Sequence, residues 1–447
     1  MNDKRDFTQG SIPKKMLRFI LPILAALVLQ AMYTAVDMLI VGRFGTTVGL
    51  SGVSTGSNII RLITFTVAGL TTGVTVLIGQ YIGEGCKEKL GKVVGSAVLF
   101  FFLFSMVLTI FMQIFARPIA VLMQAPEEAL EATVLYIRIS GAGLLFIVFY
   151  NFISGIFRGI GDSVMPLMFV SIACVANILG DLLLVAGFHM DVAGAAIATI
   201  CAQAISVILS LLVVKRRSLP FEFSLSDIGF SEEIKNFLGV GIPIALQEFL
   251  TNLTFVALCA FVNRLGLDAS SGYGIGRTLQ SFIMMIPSSL VQATSAFVAQ
   301  NVGAGNEKRA KETMKFSMIF GLCMGTIAGC IIFFYGDVLS GLYTSDTAVI
   351  ARSYEFLRGF APEAIVTSIM FSLMGYFNGH SKTMFVMCQG LVQSFLIRLP
   401  ISYIMSIQPD ASLTGVGLAA PIATSCGVII SVIYYCMLQK KMEKMNN

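Results

Sequence analysis

Four polar residues stand out in an otherwise apolar chain: Asp37, Asn177, Asp181 and Thr199. Asp37 lies inside LRFILPILAALVLQAMYTAVDMLIVGRFG at 17–45. That run is long enough to cross a bilayer, for which about 20 apolar residues suffice. A charged side chain at the centre of such a helix costs ~2.5–3.5 kcal/mol on insertion, so it marks a functional site by default. Asn177 and Asp181, in ANILGDLLL, are four apart and share one helix face. If their helix packs on the first, they and Asp37 form one polar cluster, with Thr199 from the next helix as a fourth member. Two carboxylates held together in a low-dielectric site disfavour double ionisation, so the cluster is suited to taking up a proton. The same oxygens suit a sodium ion, and the residues leave both open.

Each residue also has a plainer explanation. Asp37 would pair with Arg43, Asp181 would be solvated at a helix end, and Thr199 would bond back to its own helix. The nine cysteines show no CxxC or Cys/His ligand spacing, and only two histidines are present, so buried free thiols are expected, with no zinc site and no His-based catalysis.

The elements that must position these residues are membrane spans. Of 447 residues, 56% are hydrophobic and only 12% charged, half the usual share for a soluble chain. Mean hydropathy is +0.84. The apolar runs predict twelve helices near 17–41, 50–78, 93–115, 130–156, 164–186 and 192–214, then 236–262, 270–298, 315–335, 348–376, 384–406 and 415–438. Lys4, Arg5, Lys14, Lys15, Lys89, Lys92, Arg216, Arg217, Lys308, Arg309, Lys440 and Lys441 all fall on one side of that arrangement, against little beyond Arg43, Arg117 and Arg264 on the other. The positive-inside rule therefore puts both termini in the cytoplasm. The first apolar run is full length and no small-residue cleavage site follows it, so no cleavable signal is expected.

The chain is one half written twice. Pro22, Arg43 and Gly45 recur as Pro243, Arg264 and Gly266, at an offset of 221. QYIGEG at 80–85 recurs as QNVGAG at 300–305, and FRG at 157–159 as FNG at 377–379, both at 220. AAIAT ending at Thr199 recurs as APIAT ending at Thr424. Six helices separate the copies, so the repeats are parallel, related by an axis along the membrane normal. This predicts an all-α fold with an N-lobe at 1–215, a cytoplasmic linker at 216–235 and a C-lobe at 236–447. At these offsets Asp37 faces Leu258, while Asn177 and Asp181 face Ile397 and Ile401. The acidic cluster is therefore not duplicated, which favours a functional role over a packing one.

Pro22 removes one helical hydrogen bond and is a candidate hinge, or else a static kink shared with Pro243. Gln30 and Tyr33, two turns and one turn before Asp37, are candidates for a substrate cavity. In the second half, Glu248 is a candidate substrate carboxylate, and Arg398 is expected to pair with Glu248 or Glu363. The steps Gly91/Gly95 and Gly321/Gly325/Gly329 predict close helix packing. Gln80-x-x-Gly-x-Gly lacks a following GK[ST] or a strand, so it is a helix-connecting turn rather than a phosphate loop.

Together, the duplicated six-helix pattern, the Pro22 to Asp37 spacing, VGRFG, QYIGEG and FRGIGDS resemble the multidrug and toxic compound extrusion (MATE) transporters over almost the whole chain. The branch resembled is that of DinF and MepA. In prokaryotic members of that family an Asp of the first helix, an Asn and an Asp four apart in the fifth and a Thr of the sixth form an N-lobe cation site. The resemblance carries these roles onto Asp37, Asn177, Asp181 and Thr199. It implies export of amphipathic, often cationic compounds, coupled to inward proton or sodium flux by rocking alternating access. The acidic pair that the NorM branch carries in the seventh and tenth helices is not matched, which puts a C-lobe ion site in doubt.

The expectation is thus a monomeric, multi-pass antiporter of a bacterial cell membrane, conferring antibiotic resistance through xenobiotic transport. No cofactor beyond the coupling ion is expected, and no nucleic-acid partner. The main alternative is a flippase or exporter of a lipid-linked or amphiphilic metabolite. An intramembrane enzyme is disfavoured, because no His lies within a span and neither GxSxG nor HExxH occurs. A channel fits the asymmetric carboxylate cluster less well than alternating access does.

Overall fold

A computed structural model describes residues 5–216, 223–409 and 411–446. Lys4, Arg217, Pro220 and the rest of 217–222 lie outside them. Eleven helices are long and apolar enough to cross a membrane among the described residues, and a bent pair supplies a twelfth span. The protein is a twelve-span, all-helical membrane protein.

The chain divides into two compact units. The first runs to Ala245 and includes Gly303–Gly305. It contains α1 (Ile12–Phe44), α2 (Thr47–Glu84), α3 (Lys87–Leu122), α4 (Leu130–Ala142), α5 (Leu144–Gly159), α6 (Val164–Asp181) with a π-helical extension at Leu182–Gly187, and α7 (Asp191–Arg216). The first turns of α8 (Glu232–Asn263) also belong to it. Phe237 and Ala245 join the apolar core of α2, α3 and α5, so the boundary falls at Ala245/Leu246, ten residues beyond the linker inferred from the repeat.

The second unit holds the rest of α8, most of α9 (Leu267–Gly303), α10 (Glu307–Gly341), α11 (Thr347–Gly379), α12 (Thr383–Leu391), a π-helical segment at Val392–Arg398, α13 (Leu399–Ser406) and α14 (Leu413–Asn446).

Local chemistry sets the ends of these helices. The Thr46 hydroxyl caps α2 by accepting from the Gly49 N–H at 2.9 Å. Asn306 caps α10 and Asp346 caps α11 in the same way. The repeated QYIGEG and QNVGAG turns end α2 and α9 at Gly85 (φ 75°) and Gly305 (φ 68°), a left-handed geometry that only glycine adopts cheaply. The glycine of each copy is thus explained by one backbone requirement.

The Gly321/Gly325/Gly329 stripe lies where α10 packs on α11, as the sequence predicts. A Cβ at Gly325 would come within 2.3 Å of the Ala364 carbonyl oxygen. Gly325→Val is therefore expected to push the helices apart and cost about 1–3 kcal/mol, read as a lower unfolding temperature in detergent. An unchanged temperature would contradict this packing.

Two expectations need correction. The span at 130–156 is not one straight helix but α4 and α5, which meet at a 51° bend. Gly143 lies at that break, and a Cβ there would meet Ile200 at 2.4 Å. The cysteines are free but not generally buried: only Cys174 is, while Cys201, Cys259, Cys323, Cys330, Cys388 and Cys436 are exposed. A membrane helix is apolar towards lipid as well as towards protein, so an apolar setting does not imply a protein interior.

Candidate functional site

In the first unit α1 packs against α6 and α7, and α6 against α7. The ends of these helices are tied together. Asp191, at the start of α7, accepts from the Thr46 hydroxyl at 2.6 Å and from its N–H at 3.2 Å, fixing the α1–α2 turn. Beneath that tie Ile40, Val41, Val53, Tyr136, Val185 and Val192 form an apolar cluster.

Asp37, Asn177 and Asp181 are buried at this place, with 6%, 2% and 0% of their surfaces exposed. Asp37 and Asp181 are direct electrostatic neighbours. The Asn177 amide donates to the Thr199 hydroxyl at 3.4 Å. The structure thus brings together all four residues singled out in the sequence.

The plainer explanations fail on this geometry. Arg43 is exposed, and no ion pair joins it to Asp37 among the described residues. Asp181 is fully buried rather than solvated. Thr199 receives a hydrogen bond from across the helix pair.

Four buried oxygens of this cluster have no hydrogen-bond partner: Asp37 Oδ1, Asn177 Oδ1 and both carboxylate oxygens of Asp181. Leaving such groups unsatisfied is costly, far more so for charged ones. Two carboxylates, an amide oxygen and a hydroxyl make a hard, all-oxygen donor set that suits a proton or a sodium ion. No cluster of three or more His, Cys, Asp or Glu suited to a metal occurs among the described residues.

Tyr33 and Gln30 lie one and two turns before Asp37 on α1. Tyr33 neighbours Asp37, Tyr150 and Gln203, and Gln30 neighbours Tyr150. Tyr136 of α4 neighbours both Asp37 and Asp181. Tyr136, Tyr150 and Gln203 were not singled out from the sequence. Gln203 carried a signal, since it lies one turn after Thr199 on the same face of α7. The two tyrosines carried none, being unremarkable aromatics of apolar helices.

Pro22 is not part of the cluster. It lies fifteen residues before Asp37, about 22 Å along the helix axis, and α1 continues through it as one helix.

In the second unit Glu248 lies on an exposed face of α8. The expected ion pair between Arg398 and Glu248 or Glu363 is absent, although Glu363 is an electrostatic neighbour of Arg398. Glu363 Oε1 instead accepts from Thr424 at 2.9 Å, Thr424 accepts from Gln393 at 2.7 Å, and Gln393 accepts from Gln389 at 2.8 Å. A hydroxyl, backed by two side-chain amides, thus takes up one carboxylate oxygen where a guanidinium was expected, and Oε2 has no hydrogen-bond partner.

A duplicated all-helical membrane protein with an acidic cluster buried in one repeat has the architecture of a transporter. The chain belongs to the MatE family, whose profile matches it twice, over residues 22–183 and 243–404. Both matches begin at the paired prolines, and they are displaced by 221 residues. Multidrug export protein MepA of Staphylococcus saprophyticus is 26% identical, covering 96% of this chain and 95% of its own. The FAD transporter of Shewanella oneidensis is 25% identical, covering 99% and 98%. A crystal structure of MATE in complex with MaL6 superposes with a TM-score of 0.93 at 21% identity, over 99% of this chain and all of that one, which establishes the fold.

The two matched ranges also allow a second register. At their displacement of 221 Asn177 faces Arg398 and Asp181 faces Ser402, while at the 220 of the preceding FRG/FNG pair they face Ile397 and Ile401. Both halves carry a π-helical segment in this helix, Leu182–Gly187 in the first and Val392–Arg398 in the second, and a π turn accommodates an extra residue, so a single offset does not carry through both helices. Asp37 still faces Leu258, so the acidic cluster remains confined to the first repeat.

Proposed function

We propose that this chain is a secondary active exporter of amphipathic, drug-like molecules, oriented with both termini in the cytoplasm of a bacterial cell and coupled to inward flow of protons or sodium ions. The observation that carries the reading is the set of four unpartnered buried oxygens contributed by Asp37, Asn177 and Asp181. An entering cation satisfies them, relieves the repulsion between the carboxylates and allows α1 to repack against α6 and α7. The released substrate and the bound ion then belong to opposite halves of one cycle. An ion moving down the membrane potential gains about 2.3 kcal/mol per charge per 100 mV, enough to bias such a cycle. It does so only through its different affinity for the two states.

The test is dye efflux from proteoliposomes under a pH gradient or a sodium gradient, each imposed alone. Acceleration by one gradient names the coupling ion. Efflux indifferent to both removes the antiport reading.

A second reading is export of an amphiphilic metabolite. It is favoured by the FAD transporter among the relatives, whose named substrate is a metabolite and not a drug. Gradient-driven movement of a flavin nucleotide in the same vesicles would select it.

A further inference from the structure

The second unit carries buried basic groups where the first carries acidic ones. Arg398 stands at the end of the π-helical segment, and at the displacement of the two matched ranges it faces Asn177. Its guanidinium carbon lies 4.3 Å from the centre of the Phe255 ring of α8, and that of Arg277 of α9 lies 4.0 Å from the same ring. The two arginines are electrostatic neighbours and repel each other. Tyr273, one turn before Arg277, neighbours both. Arg277 Nη1 and Arg398 Nε are buried without a hydrogen-bond partner, while both residues as a whole are only half-buried.

Few anions offset this charge. Glu363 lies near Arg398 but beyond ion-pair distance, with Oε1 held by Thr424. Glu355 is paired with Arg352. Glu248 lies two turns before Phe255 on α8, about 10 Å along the axis. Two guanidiniums facing one nearby carboxylate leave an excess positive charge within membrane-spanning helices. Such charges are expensive there and are kept where they serve a substrate or ion path. Stacking on Phe255 supplies part of what solvation would have given, but it satisfies no N–H donor. Arg277 hydrogen-bonds Tyr273, but Arg277 Nη1 and Arg398 Nε lack an acceptor, and Arg forks fit the paired oxygens of a carboxylate or phosphate.

We propose that Arg277 and Arg398, flanked by Phe255 and Tyr273, form a subsite for the anionic group of the transported molecule, a carboxylate or phosphate on an aromatic or apolar body. The inference rests on the exporter reading above and narrows it: anionic and zwitterionic amphiphiles join the substrates.

The test is equilibrium binding of carboxyfluorescein to the purified full-length protein, followed by fluorescence anisotropy, with the cationic dye rhodamine 6G as control. Wild type is expected to bind carboxyfluorescein. Arg277→Gln and Arg398→Gln are each expected to weaken it about tenfold or more without weakening rhodamine 6G binding, since the lost charge repels a cation. The Lys variants keep the charge and lose the fork, so they should fall between wild type and Gln. They also carry the test if a Gln variant fails to fold. Nanodiscs with and without phosphatidylglycerol separate the sources of the anion: displacement of the dye identifies a lipid headgroup, and its persistence identifies a soluble amphiphile.

Failure of wild type to bind carboxyfluorescein, or wild-type affinity in folded Arg variants, overturns the proposal. The outcome is separable from ion coupling. Arg-dependent binding without gradient-driven efflux would leave the subsite standing and remove the antiport reading, and the converse would do the opposite.

Discussion

Asp37→Asn is expected to cut gradient-driven efflux sharply while leaving the protein folded. Asparagine is nearly the same size as aspartate, and it relieves the repulsion with Asp181, so insertion and packing are expected to survive the change. Coupling is not. The cation site depends on carboxylate charge to attract a proton or sodium ion, and charge-assisted contacts are roughly twice as strong as neutral ones. Losing one carboxylate should lower ion affinity by about tenfold or more, and efflux at ordinary gradients should fall accordingly. Asp181→Asn is expected to behave in the same way. Because the two side chains act on one ion, the double variant should be little worse than either single one. Thr199→Ala removes a neutral ligand bonded to Asn177 and should show a smaller loss. Full gradient-driven efflux in Asp37→Asn, with expression and monodispersity matched to wild type, would sink the coupling assignment.

How far the sequence reveals this site depends on what kind of signal each residue leaves. Asp37 and Asp181 are legible because a charge inside an apolar run is rare and expensive. Asn177 follows from its helical spacing to Asp181 and from the repeat, whereas Thr199, duplicated as Thr424, follows from the family resemblance. The twelve spans are legible for the same reason, and their observed ends extend past the apolar windows because charged turns such as Lys87–Leu90 and Glu307–Lys311 continue the helices beyond the predicted spans.

The bend at Gly143 is not legible, since an apolar run reports that a segment enters the membrane and not whether it is straight. The π-helical segment is invisible for a related reason: one extra residue per turn leaves composition unchanged while altering every pairing after it. A shift of one residue is the difference between pairing Asn177 with Ile397 and pairing it with Arg398. Phe255, Arg277 and Arg398 come from three different elements, so no spacing in the chain announces them as a group.

The same orphaned oxygens predict a thermodynamic signature that needs no substrate. A ligand that binds only the folded protein stabilises it by RT ln(1 + [L]/Kd), about 2.7 kcal/mol at a hundredfold excess over Kd. For a chain of this size that corresponds to a rise of a few degrees in unfolding temperature, roughly 3 °C on the average entropy per residue. If sodium is the coupling ion, wild type in detergent at alkaline pH should melt higher in sodium chloride than in N-methylglucamine chloride at equal ionic strength. The increment should shrink on acidification, because protons compete for the carboxylates of Asp37 and Asp181. If the proton is the coupling ion, melting should rise on mild acidification with no response to sodium. Either dependence must disappear in the Asp37→Asn/Asp181→Asn double variant, since neither asparagine takes up a proton and the pair has lost its charge. A sodium or pH response of equal size in wild type and the double variant would place the ion elsewhere. The buried network of Glu363, Thr424, Gln393 and Gln389 would then be the next place to test.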